Sequence, residues 1–210
     1  GRAKVDFPWE RFNFGVVGMY ASGSDANKTS QTGLPNNPAG SSVSPNNGSE
    51  TTRVNGWMVP IGSEAGAANG ESVIMYGMEA GASGGQGIAV NHNYNQASKG
   101  PFGGTWFGKL YGSYKVTPWY KVTLQGLYIG DTTKNGNTFG NARELGGPLR
   151  DDKFIGVELD MLNEIQIYKN LTFKVFGGYM WAGNAMDLFA GGNTGNWSMH
   201  NPWALRTRLL

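Results

Sequence analysis

Cysteine is absent from the 210 residues, so neither a disulfide framework nor a thiolate metal site can form. No run of eighteen apolar residues occurs, which excludes a helical membrane span, and no helix-period segment of useful length stands out. The opening GRAKVDFPW lacks a basic region followed by an apolar stretch, so no signal peptide is visible. The expectation is that one was removed, or that the chain begins inside a longer protein. A net charge of +2 is too small to argue for nucleic acid or an anionic surface. Histidine is scarce: His92 and His200 have no partner at metal-ligand or triad spacing. Gly103 to Lys109 imitates a phosphate-binding loop, but Leu110 stands where Ser or Thr is required. No catalytic residue, metal site or cofactor is therefore expected.

What is present favours strands and turns. The chain holds 34 glycines and 9 prolines, with many asparagines. Its organising stretch is Gly104 to Asp131, GTWFGKLYGSYKVTPWYKVTLQGLYIGD, which predicts two antiparallel strands around a tight turn at VTP. Even positions from Trp106 to Val116, and again from Tyr120 to Tyr128, are apolar or small; odd positions include Lys109, Lys115, Lys121, Thr123 and Gln125. Rings stand near both ends of the apolar phase, Trp106 and Tyr114 on one strand, Tyr120 and Tyr128 on the other. Their separation is roughly 26 Å at about 3.3 Å per residue. A transmembrane β-barrel has an outward apolar band about 25 Å tall bounded by aromatic girdles. A mildly polar average composition does not oppose this, since only alternate strand residues meet lipid.

Arg11 to Ser22 also alternates, with Phe12, Phe14, Val16, Gly18 and Tyr20 in one phase, and the preceding PWER reads as a turn. From Gly23 to about Gly56 the chain is a polar Gly/Pro/Ser/Asn stretch, an exposed loop by composition. Between Trp57 and Gly103, GESVIMYGMEAG and GIAVNHNYNQAS fit short strands or pieces of a loop folded into a lumen. Strand direction limits extra spans there to none or two. Lys153 to Ile167 carries Ile155, Val157, Leu159, Met161, Ile165 and Ile167 in one phase and Glu158, Asp160 and Glu164 in the other. After a turn at YKN, Leu171 to Gly183 places Leu171, Phe173, Val175, Tyr179 and Trp181 outward and Lys174 inward. If Ile167 faces Leu171, Glu164 stands opposite Lys174. Trp203, Leu205, Thr207 and Leu209 alternate with Arg206 and Arg208 in the closing NPWALRTRLL. The connections alternate between short and long.

The YKVTPWYKVTLQGLYIGD hairpin, the DDKFIGVELDMLNEIQIYKNLTFKVFGGYMWAG hairpin and the closing strand resemble porin-like β-barrels of Gram-negative outer membranes, including alginate-export-type barrels. The resemblance covers residues 104 to 210 and Arg11 to Ser22. It implies an all-β fold, an antiparallel transmembrane β-barrel with short periplasmic turns and long extracellular loops. One barrel domain spans 1–210, with 23–103 as a long loop region. Such proteins usually end on an outward aromatic residue, so a few residues are expected beyond Leu210. The six strands counted cannot close a barrel. The C-terminal part of a larger barrel is favoured over a complete eight-stranded one.

Under that resemblance Tyr20, Trp106, Tyr114, Tyr120, Tyr128, Phe173, Tyr179, Trp181 and Trp203 form the lipid-facing girdle. The pore lining comprises Lys109, Lys115, Lys121, Gln125, Glu158, Asp160, Glu164, Lys174, Arg206 and Arg208. Bands of opposite sign would set a field across a pore, although ordinary polar lining explains the same residues more simply. Asp151 with Asp152, and Glu158 with Asp160, suit a hard cation, but a solvated loop end and a lumen wall account for them. The four Asn-X-Ser/Thr matches are read as compositional. The expected function is an outer-membrane channel for passive passage of small hydrophilic or anionic solutes, touching lipid, forming a homo-oligomer and binding no nucleic acid. One alternative is a barrel that scaffolds a partner, as an electron-carrier sheath or surface assembly. Another is a secreted soluble protein that binds carbohydrate through Trp57 and Trp197.

Overall fold

A computed structural model describes residues 1–23, 71–77, 103–145, 147–190 and 195–210. The fold is all-β. Seven strands form one antiparallel sheet: β1 (Arg2–Trp9), β2 (Phe12–Tyr20), β3 (Thr105–Thr117), β4 (Tyr120–Asp131), β5 (Phe154–Tyr168), β6 (Leu171–Ala182) and β9 (Trp203–Leu209). They pair in that order, so each strand lies beside its neighbour in the chain. Leu188–Phe189 (β7) and Asn196–Trp197 (β8) make a separate two-residue ladder after a 3₁₀ turn at Asn184–Met186. Among the described residues no pairing joins β1 to β9, so the expected closed barrel is not what these seven strands form by themselves; they form an open sheet.

The seventh strand corrects the sequence-based expectation of six. Arg2–Trp9 alternates Arg2, Lys4 and Asp6 with Ala3, Val5, Phe7 and Trp9, and the turn is Glu10–Arg11 rather than PWER. Glu10 takes φ 50°, a left-handed conformation that tightens the reversal. Equally short turns at Pro118–Trp119 and Lys169–Asn170 stand at the same end of the sheet, and the long connections stand at the other. Strands β2 and β3 pair directly from Phe12↔Tyr114 to Tyr20↔Trp106, so no strand intervenes between them. Of the stretch between Trp57 and Gly103, residues 71–77 are described and are not a strand. Trp57, the glycine-rich segment around Gly84 and His92 lie outside the described residues.

The two faces differ in exposure and in charge. Phe14, Val16, Leu110, Leu124, Leu159, Trp203 and Leu205 are exposed on the bare face, Leu110 to 66%. The opposite face is covered and carries Val17, Met19, Phe107, Leu127, Ile129, Phe176 and Met180, all buried. Register follows the expected alternation through the strand bodies, and Glu164 pairs with Lys174. It slips near the turns, where Val116 and Ile167 are each left without a cross-strand partner, so Tyr168 rather than Ile167 faces Leu171. A third irregularity falls at Ile155, which the pairing of Ile129 with Gly156 and Gly130 with Phe154 leaves unpaired. Ile155 is therefore fully buried instead of sharing the exposed phase of Leu159. Asn163 interrupts that phase and is satisfied by the Tyr120 hydroxyl at 2.7 Å.

Two glycines show the difference between the faces. A Cβ on Gly15 would lie 2.2 Å from the Tyr111 ring, which crosses β2 through the gap that glycine leaves, whereas a Cβ on Gly108 meets nothing within 4 Å. Gly15→Ala is expected to cost about 1–3 kcal/mol through forced displacement, and Gly108→Ala under about 0.5 kcal/mol. Urea titration of the refolded protein measures both.

Candidate functional site

Alternation brings Lys109, Gln125, Glu158 and Asp160 together on the covered face of β3, β4 and β5. Lys109, Leu127, Glu158 and Met180 form one cross-strand row, and Tyr111, Gln125, Asp160 and Gly178 form the next. All four polar residues are buried, Glu158 completely. What covers them is the segment Glu71-Ser72-Val73-Ile74-Met75-Tyr76-Gly77, whose seven residues are buried as well.

Backbone amides make the attachment. Glu158 accepts the Ile74 N–H at 2.6 Å on one carboxylate oxygen and the Met75 N–H at 3.0 Å on the other. Asp160 Oδ2 accepts the Val73 N–H at 3.1 Å and the Gln125 amide at 2.7 Å. Three successive N–H groups thus converge on two carboxylates, as in the anion-binding concavities of protein backbones. Gln125 and Lys109 each donate to the Glu71 carbonyl at 3.0 Å. Lys109 also reaches Glu71 Oε2 at 2.6 Å, and Arg2 of β1 reaches Oε1 at 2.6 Å. Ser72 Oγ accepts the Tyr76 N–H at 2.9 Å, and Gly77 leaves the segment in a left-handed conformation, φ 57°.

Apolar side chains of the segment complete the layer. Tyr76 packs on Phe107 with centroids 5.1 Å apart and donates its hydroxyl to Thr105 at 3.0 Å. Burial pushes the Tyr76 phenol well above its ordinary range, so it stays a neutral donor. Gly178 makes the close approach possible, because a Cβ there would lie 3.0 Å from Val73 Cβ.

Toward the long-loop end, Asp131 accepts the N–H groups of Thr133 and Thr138 at 2.7 and 2.6 Å. Arg150 joins Asp152 at 2.9 Å to Asp187 at 3.2 Å, tying together the connections that follow β4 and β6. Asn196 brackets Arg143 through its backbone N–H and carbonyl at 2.9 and 2.7 Å. His200 and Trp197 are exposed there. Among the described residues no group of three His, Asp or Glu side chains is placed to hold a metal ion.

The remaining polar residues lie nearer the short turns. Lys115, Lys121, Glu164, Lys174 and Arg208 occupy a single row across β3, β4, β5, β6 and β9. Glu164 pairs with Lys121 and, at 3.2 Å, with Lys174. The acidic residue is therefore set among cations rather than in a separate band, and four positive charges less one negative leave the row at +3. Arg206 stands one row further in, opposite Phe176.

On the bare face Tyr20, Trp106, Tyr128, Tyr179, Trp181 and Trp203 are exposed, and Tyr114, Tyr120 and Phe173 half-buried. Trp106 and Tyr128 pack at 5.6 Å, and Tyr114 stacks on Phe12 at 4.5 Å. Trp9, Trp119, Phe154 and Tyr168 extend these groups and are absent from the sequence-based set, as are Arg2, Glu71, Tyr111 and Gly178. Alternation in Arg2–Trp9 is the signal for Arg2; Glu71 has none, since its partners are remote in the chain.

Lys109 and Glu71 form a buried pair, and removing one member leaves the other uncompensated. Glu71→Leu alone is expected to destabilise by about 3–5 kcal/mol. Adding Lys109→Met should recover most of that loss, since an apolar replacement of a buried pair is often near neutral. A double-mutant cycle by urea unfolding checks this.

No family model, curated protein or solved structure matches the chain.

Proposed function

We propose that this chain forms a wall of an outer-membrane β-barrel channel for small hydrophilic solutes, with a bias toward anions. The observation that carries the proposal is that one face of the sheet leaves its apolar side chains bare while the opposite face carries the strands' charges beside a buried apolar core. In water, an antiparallel sheet with one solvated face turns its polar residues outward and its apolar residues to the core. Here Phe7, Phe14, Val16, Leu110, Leu124, Leu159 and Leu205 are bare while Lys109, Gln125, Glu158 and Asp160 are buried. Each large apolar side chain withheld from water is worth about 1.5–3 kcal/mol. A bare face of this size calls for a covering, and hydrocarbon supplies one.

The distribution along the strands agrees. On β3 to β5 aliphatic residues and glycines fill the centre of the bare face, while Phe7, Phe14, Tyr179 and Trp203 bring rings into the same rows on β1, β2, β6 and β9. Rings also mark both ends, with Tyr20, Trp106, Phe154 and Trp181 near the long loops and Trp9, Phe12, Tyr120 and Phe173 near the short turns. Short turns at one rim and long loops at the other suit outer-membrane barrels. Because β1 and β9 each have one unpaired edge among the described residues, the ring is taken to be completed by further strands, whether of a longer chain or of another copy. The +3 row of Lys115, Lys121, Glu164, Lys174 and Arg208 faces the enclosed side and favours anions. A second reading, a barrel that sheathes a partner, draws on the dry packing of Tyr76, Phe107, Ile129 and Met180 within the wall. A partner that copurifies in fixed proportion and blocks conductance favours it.

Planar-bilayer recordings on the full-length protein test the channel. Conductance with a reversal potential on the anion-selective side is expected under a salt gradient. Lys121→Gln with Arg208→Gln should shift that potential toward zero, and a protein that inserts but never conducts contradicts the proposal. Leu110→Arg, at mid-height of the bare face, should cost about 2–4 kcal/mol in lipid.

A further inference from the structure

We propose that the free edges of β1 and β9 are joined by an odd number of further strands of this protein, and not by the edge of a second copy. The inference rests on the barrel reading above and narrows the source of the missing wall. Strand direction carries it. β1 runs toward the turn at Glu10–Arg11, and β9, antiparallel to β6, runs from the long loops toward that same end. Seven is odd, so the two outer strands point the same way.

All six pairings in the sheet are antiparallel. Joining β9 directly to β1, within one chain or between two copies inserted alike in a bilayer, would make a parallel seam. So would β1 against β1, or β9 against β9. An even number of intervening strands leaves the same mismatch. One strand or three, running from the short turns to the long loops where they meet each edge, removes it.

Register identifies the backbone groups that such a strand would meet. Gly1 and Tyr20 exchange both backbone bonds, at 2.7 and 2.9 Å. Bonded pairs recur at every second residue, so Ala3, Val5 and Phe7 bond to β2 while Arg2, Lys4, Asp6 and Pro8 turn their backbone groups to the edge. Pro8 has no N–H, and it stands where β2 loses no bond by that. Thr172 and Leu210 likewise exchange both bonds at 2.9 Å, so Trp203, Leu205, Thr207 and Leu209 turn theirs to the edge of β9. Hydrocarbon offers such groups no partner, which makes a paired strand the covering they require. The strand beside β9 is expected to alternate, apolar next to Leu205 and Leu209 and acidic next to Arg206 and Arg208 on the covered side.

Photo-crosslinking in the full-length protein in lipid tests this. Benzoylphenylalanine is placed singly at Ala3, Val5, Phe7, Leu205, Thr207 or Leu209, all exposed on the bare face, and captured peptides are read by mass spectrometry. Refolding light and isotope-heavy chains together separates capture within a chain from capture between copies. Captures on β2 and β6 calibrate the reading, because antiparallel partners fall by about two in number when the probe advances by two. On its other side each probe should capture, within the same chain, a segment outside the seven strands, with numbers falling in the same order.

Light-to-heavy crosslinks from β1 probes to Trp203–Leu209, or captured numbers that rise as the probe advances, overturn the proposal. A conducting protein whose six probes capture only β2 and β6 also overturns it and leaves the channel standing. Same-chain captures in falling order, from a protein that inserts and never conducts, uphold the joined edges and remove the channel.

Discussion

A β-strand sends successive side chains to opposite sides, and seven strands of this chain place their charges on the same one. Everything else follows from that constraint. A charge row at the short-turn end, a buried carboxylate pair in the middle and a packed layer under the long loops all occupy one face because they share a phase. The other face receives the alternate residues, which apart from Asn163 and Thr207 are aliphatic, glycine or aromatic. A slip of one residue in any strand would exchange the two sets. The slips that do occur, at Val116, Ile155 and Ile167, fall near strand ends, where they change few side chains.

Buried charge on the covered face is tolerated because it is matched. Glu158 and Asp160 would be costly in a dry layer without donors, and residues 71–77 bring three backbone N–H groups to them. Lys109 would be costly as well, and Glu71 brings both a carboxylate and a carbonyl. Sheet and segment thus satisfy each other except at Asp160 Oδ1, which is buried without a hydrogen-bond partner. Gly178 allows the approach, as Gly15 allows Tyr111 to lie across β2.

Strands β2 to β6 and β9 are legible in the sequence because two-residue alternation persists over long stretches; Glu164 stands opposite Lys174 as expected, but only because the unpaired Ile167 offsets a turn that brings Tyr168, not Ile167, to Leu171. Arg2–Trp9 alternates too, but it is short, ends in Pro8-Trp9 and leads into a turn beginning one residue later, which makes PWER look like the reversal. Ile155 shows the limit of phase counting: nothing local to it announces that Gly156 opens an irregularity. The covering segment is least legible. Its hydrogen-bond partners lie more than eighty residues away on β5, and no local pattern in ESVIMYG reports them. Alternation supplies which side each strand residue takes; it does not supply what rests against that side.

The most direct measurement of the sidedness is spin-label accessibility along β4 in lipid bilayers, with single cysteines introduced one at a time from Tyr120 to Asp131 of the cysteine-free chain. Oxygen accessibility is expected to rise and fall with a period of two, highest at Leu124, Gly126 and Tyr128, while a water-soluble nickel reagent reaches none of these three. Nickel access at Leu124 equal to that of a soluble surface site, or accessibility without alternation, would contradict contact between the bare face and hydrocarbon.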